Sequence, residues 1–384
     1  MNTLSSVPVA NTGSLAGIKV IDLSRVLGGP FCGQILGDHG ADVLKIEPPQ
    51  GDETRGWGPP FDKDGTASYF LGLNRNKRGA TMDLTRPAER ERLLALLAEA
   101  DVLIENFKTG TMEKWGLGYE TLSQRFPRLV HCRVSGFGAD GPLGGLPGYD
   151  AAIQGLAGIM SVNGEPGGGA LRVGVPVVDI VTGLNAALGI MLALNERHRS
   201  GRGQFVEASL YDCGLSLLHP HSANHLLDGR MPKRTGNAHP NICPYDTFAT
   251  GTEPIFLAVG NDGQFAKLVA HLGAPGLATD PRFAGNQQRS IHRDVLKAEL
   301  ERLLQAQACV PLADALVRAG VPCAPILDVA QAFAAPHTAH REMLVQVGEG
   351  EGAYRGVGSP IKLSRTPASY RRAPPRFEPP SSAE

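Results

Sequence analysis

Charge of one sign is what this chain most lacks. Its 37 Lys and Arg stand against 38 Asp and Glu, leaving a net charge of −1. A protein that grips nucleic acid carries a basic face, so nucleic acid is not expected as a partner. Cysteine is sparse: Cys32, Cys132, Cys213, Cys243, Cys309 and Cys323 form no C-x-x-C pair, and none has a His at metal spacing. No metal site is expected. The thiols read as small buried hydrophobes in a reducing compartment, which points to a cytoplasmic protein. No window holds eighteen uninterrupted apolar residues, so no membrane span is expected. The run after Asp179 is broken by Thr182, Gly183 and Asn185 and reads as a buried core helix. The first fourteen residues, MNTLSSVPVANTGS, lack Arg, Lys and an apolar core. Neither a secretory leader nor a transit peptide is expected there.

Glycine and proline are plentiful, at 48 and 29 residues, so turns and close backbone approaches are frequent. They follow no collagen-like period, and no internal repeat is visible. The 384 residues suffice for two or three domains and a large core.

The front half alternates strand and helix. IKVIDL (18–23), DVLKIE (42–47), GATMDL (ending near Leu84), DVLIENF (101–107), RLVHCRV (128–134) and QFVEASL (204–210) read as strands. A helix from Pro30 to His39 follows the first, and Thr85 is expected to cap the helix PAERERLLALLAEA, with Pro87 in its first turn. This spacing predicts a parallel sheet with crossover helices. Further helices are expected near 149–160, 179–198 and 211–227. The fold class is therefore α/β: a large Rossmann-like domain over 1–225 with 335–384, and a smaller α/β domain over 228–330. The polar, Pro-rich end RRAPPRFEPPSSAE is expected to drape over a neighbouring segment.

A dinucleotide site is the first chemistry to test, and it fails. The stretch from Gly28 reads G-G-P-F-C-G, with Glu47 closing the second strand about twenty residues on. Pro30 stands where the second glycine should let the backbone approach a pyrophosphate. Nicotinamide and flavin cofactors are not expected.

Asp179, in GVPVVDIVTGLNAALGIMLAL, is the second candidate. It can cap the helix that follows, or it can stay ionised at the positive end of the helix dipole, away from other carboxylates, and act as a nucleophile. LNRNKRG adds a basic turn of Arg75, Lys77 and Arg78, and Arg25, Lys45, Lys108 and Lys114 fall at strand ends or in loops after strands. Ligands of open parallel sheets bind outside the carboxyl strand ends, so these cations suit a ligand with several phosphates. A solvated charged turn is the alternative.

The chain resembles the family III CoA-transferases from about residue 14 to about 370. The likeness is carried by LxGxxVIDLSRVLGGPF, GADVLKIEPPQGDETRGWGPP, LNRNKRG, DVLIENFKTG, MEKWGLGYE, SGFGADGP, GYDAAIQGLAG, the segment around Asp179, RHRSGRGQFVEASLYD and GVPCAPI. TRGWGPPF, GNAHPNICPYDTF and GNDGQF draw it toward the branch that moves CoA between dicarboxylates, such as succinate and hydroxymethylglutarate or glutarate. The resemblance implies that Asp179 accepts the transferred group as an aspartyl-CoA thioester. It implies CoA contacts from Arg25, Val26, Leu27, the 75–78 turn, Asn106, Phe107, Lys114 and Tyr149. It also implies an interlocked, ring-like homodimer. Coenzyme A and acyl-CoA enter as substrates, with no permanently bound cofactor.

Two departures narrow this. The racemase branch has His where this chain has Tyr149, and a tyrosine, with an ordinary pKa near 10, is a poor base at neutral pH. A racemase would also use a later acid, for which Asp262 is the candidate. No counterpart of the glycine-rich lid of formyl-CoA transferase is apparent, so oxalate and formyl-CoA are not favoured substrates. A dicarboxylate needs a cation for its far end; Arg172 is the first candidate and Arg234 the second, unless both are ordinary surface arginines. Backbone amides at Gly28–Gly29 or in 260–264 are candidate oxyanion donors. His219, His221, His225 and His239 read as structural. The competing readings are a racemase, a nucleotide-dependent oxidoreductase and a non-catalytic acyl-CoA binder.

Overall fold

The computed structural model describes residues 13–379. Residues 1–12, and with them most of the segment read for a leader, lie outside these, as do 380–384. The chain divides into two compact units. One holds the residues up to Gly158, Val173–Leu217 and those from Pro336 onward; the other holds Ile159–Arg172 and Leu218–Ala335.

The first unit is built on six parallel strands. In chain order the elements are β1 (Lys19–Asp22), α1 (Gly28–Asp38), β2 (Asp42–Glu47), α2 (Ser68–Leu71), β3 (Lys77–Thr81), α3 (Pro87–Leu97), β4 (Val102–Glu105), α4 (Thr111–Lys114), α5 (Tyr119–Arg125), β5 (Val130–Ser135) and α6 (Asp150–Leu156). After α7 (Ile159–Val162), which belongs to the second unit, come α8 (Val177–Ser200), β6 (Phe205–Ser209) and α9 (Leu210–Ser216). The strand order is β3-β2-β1-β4-β5-β6. All five pairings are parallel. Central strands such as Val102–Glu105 are buried at every position, as both faces of a parallel sheet carry helices. The order reverses between β1 and β4, and ligand crevices of such sheets open at this point.

Helix α1 lies against α8, and Gly183 makes the approach possible. A Cβ there would meet the Gly28 carbonyl oxygen at 2.6 Å. Helix α8 is long and apolar enough to cross a membrane by length and composition alone, yet only half of that apolar stretch is buried. Its buried stripe includes Val178, Ala186, Ile190 and Leu194; Leu184, Leu188, Met191 and Leu192 face outward, Leu188 with 56% of its surface exposed. The expected core helix is therefore covered on one side only.

Two expected helices are each broken in two. Gly158, at φ +87°, separates α6 from α7, and Pro220 separates α9 from α10 (His221–Asp228). Thr85 does not cap α3: Arg86 takes the cap position without a side-chain bond, and the Thr85 hydroxyl donates to Asp83 instead.

The second unit carries an antiparallel sheet of β7 (Tyr245–Phe248), β8 (Ile255–Ala258) and β9 (Cys323–Pro325), in that order. The helices α11 (Asp262–His271), α12 (Asn286–Ile291), α13 (Arg293–Leu304) and α14 (Cys309–Arg318) accompany it. Leu268, Leu296, Leu300 and Leu316 form its core with Ile255 and Leu257 of β8. After α15 (Val329–Ala334) the chain returns to the first unit, with α16 (Pro336–His340) and then the hairpin β10 (Leu344–Val347) and β11 (Tyr354–Val357). It then runs along the edge strand β3, where Asn76 N–H donates to the Arg372 carbonyl at 2.9 Å and the Thr81 hydroxyl to that of Glu378 at 2.5 Å. The Pro-rich end thus covers an otherwise open sheet edge.

Candidate active site

A cleft of about 240 Å³ opens in the first unit at the carboxyl ends of β1, β4 and β5. Arg25, Val26, Leu27 and Gly28 line it from β1, Asn106, Phe107 and Lys108 from β4, and Ser135 and Gly136 from β5. Tyr149 and Asp179 complete the wall. Asp179 therefore reaches a cleft, though only 9% of its surface is exposed.

The loop after β1 is held in an unusual shape. Val26 sits at φ +70°, a left-handed conformation that costs a β-branched residue about 1–3 kcal/mol. Asn106 holds the residue before it from both sides. Its Oδ1 accepts the Arg25 N–H at 2.9 Å and its Nδ2 donates to the Arg25 carbonyl at 2.7 Å. The turn delivers the chain into α1, whose first residues Gly28 and Gly29 have no i−4 carbonyl to bind. Of the other candidate oxyanion donors, the amides of Gly260 and Gln264 are already committed to the Gln264 and Asn261 side chains.

Asp179 is not the cap of α8. Pro176 takes the cap position with no side-chain bond, and Asp179 falls in the first turn. The first-turn amides are taken by Asp150, 29 residues earlier. Its Oδ1 accepts the N–H of Val178 at 2.8 Å and of Asp179 at 3.2 Å. The expectation of a carboxylate remote from others is thereby corrected. Burial, and then the charge of Asp150, raise the Asp179 carboxyl to about 7. Tyr69 responds to the same pair: burial, then the Asp179 and Asp150 charges, push its phenol up to about 12, so it stays protonated at neutral pH. Its ring meets Trp57 edge-on at 5.2 Å.

The basic turn does not face the cleft. Lys77 Nζ donates to Asp22 at 2.8 Å, the Pro30 carbonyl at 2.7 Å and Asn74 at 2.8 Å, with no exposed surface. Lys45 is equally enclosed between Asp52 and the Ser24 carbonyl. Arg75 forms a two-pronged pair with Asp38 at 2.9 and 2.6 Å. Arg78 is exposed but pairs with Asp42 at the amino ends of the strands. Lys114 is exposed on α4 and does not line the cleft. The place of these cations near the sheet suits a ligand contact, but the carboxylates placed opposite them draw three of the four 45–78 cations inward. The cleft keeps two cations, Arg25 and Lys108. Arg172 and Arg234 belong to the second unit, where Arg234 donates to the Gly168 carbonyl at 2.8 Å. Asp262 is also in the second unit and accepts from the buried Arg289 at 2.6 Å.

A second depression, about 470 Å³, shares Arg25 and Phe107 with the first. Leu23, Ile46, Met82, Leu84 and Trp115 give it an apolar lining. Among the described residues no group of three or more His, Cys, Asp or Glu is arranged to hold a metal. The arrangement offers one shielded carboxylate beside a helix start, two cations and an adjoining apolar hollow. Such a site can form a covalent acyl bond away from bulk water.

Comparison with known proteins gives the same direction. The model of CoA-transferase family III matches residues 15–378. The chain is 41% identical to a succinate–glutarate CoA-transferase of Agrobacterium fabrum, covering 94% of this chain and 92% of that one. It is 40% identical to an acetyl-CoA:oxalate CoA-transferase of Acetobacter aceti (94% and 91%) and 38% to a succinyl-CoA:mesaconate CoA-transferase of Haloarcula marismortui (94% and 93%). A crystal structure of a CaiB/BaiF family protein from Brucella suis superposes with a TM-score of 0.83 at 43% identity, covering 95% of this chain and 96% of that one. A carboxylate-lined cleft at the strand ends and a match over nearly the whole chain lead to one conclusion: the protein belongs to the family III CoA-transferases.

Proposed function

We propose that this enzyme moves CoA from a dicarboxylyl-CoA, succinyl-CoA first among them, to a free dicarboxylic acid through an aspartyl-CoA thioester on Asp179. The observation that carries the reading is the Asp179 carboxylate in the cleft wall, in the first turn of α8. The relatives support the substrate class, since glutarate, oxalate and mesaconate are all dicarboxylates. The oxalate relative restores that acid to the candidates.

The ionised Asp179 attacks the thioester carbonyl and expels CoA as thiolate, leaving a mixed anhydride. The thiolate attacks the aspartyl carbonyl, releasing the donor acid and leaving the aspartyl-CoA thioester. The acceptor carboxylate attacks that thioester and frees the thiolate again. The thiolate takes the new acyl group and returns Asp179 to its carboxylate. First-turn amides of α1 at Gly28 and Gly29 are the donors for the oxyanions. Arg25 and Lys108 hold the anionic end of CoA, and its adenosine enters the apolar hollow beside Phe107. Tyr149 in place of a histidine, and Asp262 held by Arg289, favour transfer over racemisation.

Incubation with succinyl-CoA alone will leave CoA attached to the Asp179 peptide, detected by mass spectrometry and released by hydroxylamine. An enzyme that turns over while that peptide stays unmodified at every time point overturns the covalent route.

The homodimer and the cytoplasmic setting belong to the same proposal. The outward row of Leu184, Leu188, Met191 and Leu192 on α8 supports a second copy as its cover, because exposed contiguous apolar patches mark interaction surfaces. All six cysteines are free, as suits a reducing compartment. Light scattering on Leu188→Arg will show loss of a dimer that the wild type forms; a wild type of monomer mass rejects the dimer outright.

A further inference from the structure

We infer that Asp150 is a positioning residue for the transfer: with Gln154 it clamps the segment 173–179 by its backbone amides, fixing where Asp179 stands and setting a second carboxylate beside it. The inference rests on the reading of Asp179 as the acyl carrier.

The clamp is built from two side chains one turn apart on α6. Gln154 Oε1 accepts the Val173 N–H at 2.8 Å. Gln154 Nε2 donates to Asp150 Oδ2 at 2.6 Å. The other oxygen of Asp150 takes the Val178 and Asp179 amides. Both side chains are buried, and between them they hold the approach to α8 at its two ends. The approach itself, Val173 to Pro176, supplies no side-chain cap. A neutral Ser or Asn would satisfy a helix start as well as an aspartate does. A full negative charge beside a second buried carboxylate has a cost that capping alone does not explain. The charge acts on Asp179, where it raises the affinity for a proton, and a stronger base is a stronger nucleophile once ionised.

The other charged and titratable groups near Asp179 do not duplicate this. At the cleft they are Tyr149, Arg25, Glu53 and Lys108, and Tyr69 feels the Asp179 charge from outside its lining. The elements packed on α8 add Cys32 and Asp38 of α1, His131, Cys132 and Arg133 of β5, Glu207 of β6, and Tyr211, Asp212 and Cys213 of α9. Arg133 is engaged by Glu105 and Glu113. The first turn of α1 has no acidic residue. Of all these, Asp150 is the group whose charge raises Asp179.

The test reads the Asp179 carboxyl directly, without turnover. In full-length protein labelled at the aspartate carboxyl carbon, the titration curve that disappears in Asp179→Asn belongs to Asp179. Its midpoint will lie near 7 in the wild type. Asp150→Asn will move it down by about one pH unit or more, and Asp150→Glu, which keeps the charge, will restore most of it. The acid limb of kcat/KM will follow the same order. Asp150→Ser keeps an acceptor for the amides and replaces the asparagine variant if that one does not fold. A midpoint unmoved by loss of the charge overturns the inference, even where the wild type forms the aspartyl-CoA adduct. Absence of the adduct with a normal midpoint shift overturns the covalent reading instead.

Discussion

Asp179→Ala will cut CoA transfer by about 10⁴-fold or more, while acyl-CoA binding changes little. The argument is chemical before it is structural. Direct attack by one carboxylate on another molecule's thioester would need both substrates seated at once, in a cavity of about 240 Å³. A protein carboxylate that takes the group first lets donor and acceptor use the same place in turn. Asp179 is the acidic residue of α8 that meets this cleft, and alanine leaves nothing there to carry the group. Rates with succinyl-CoA and a panel of acids, set beside calorimetric binding of succinyl-CoA, check both halves. A variant that keeps a tenth of the wild-type rate removes Asp179 from the reaction path.

The largest stability effect is expected deep under the sheet ends. Lys77→Met will lower unfolding stability by about 3–5 kcal/mol, read from urea denaturation at neutral pH. The methylene stem keeps its packing, but Asp22 is left charged with no surface exposed. Asp22 would retain the Ser24 amide and hydroxyl as donors, which is too little for a dry carboxylate. Burial already pushes the Lys77 ammonium below its ordinary range, against the pull of Asp22. Adding Asp22→Asn to the methionine variant will recover part of the loss, because the stranded charge goes with it. A loss under about 1 kcal/mol would class the pair with solvent-screened surface bridges.

The sheet was legible from the sequence, and the reason is local. VLIE is a mainly apolar run of strand length, and VHCRV alternates Val130, Cys132 and Val134 with His131 and Arg133, which is enough to mark each as a strand. What failed was information carried by distant partners. Lys45 lies within β2 and Lys77 opens β3, and their partners and that of Arg75 come from elsewhere: Asp52 from a loop, Asp22 from β1 and Asp38 from the end of α1, where no spacing announces them. Asp150 escaped for the same reason. It stands beside Tyr149, and its partners lie 28 and 29 positions away. The breaks at Gly158 and Pro220 were different. Both residues are ordinary helix breakers, so those signals were present and outweighed by the apolar periodicity around them.

The carboxyl-terminal run along β3 has a consequence for biosynthesis. The Arg75 guanidinium donates to the Val357 carbonyl at 2.6 Å, and the edge strand is laced by residues up to Glu378. A ribosome makes roughly 5–20 residues per second. The six-stranded half must therefore wait with one flank bare until the segment through Glu378 has been made. The antiparallel half, drawn mainly from one continuous stretch, can finish while the nascent polypeptide is still tethered.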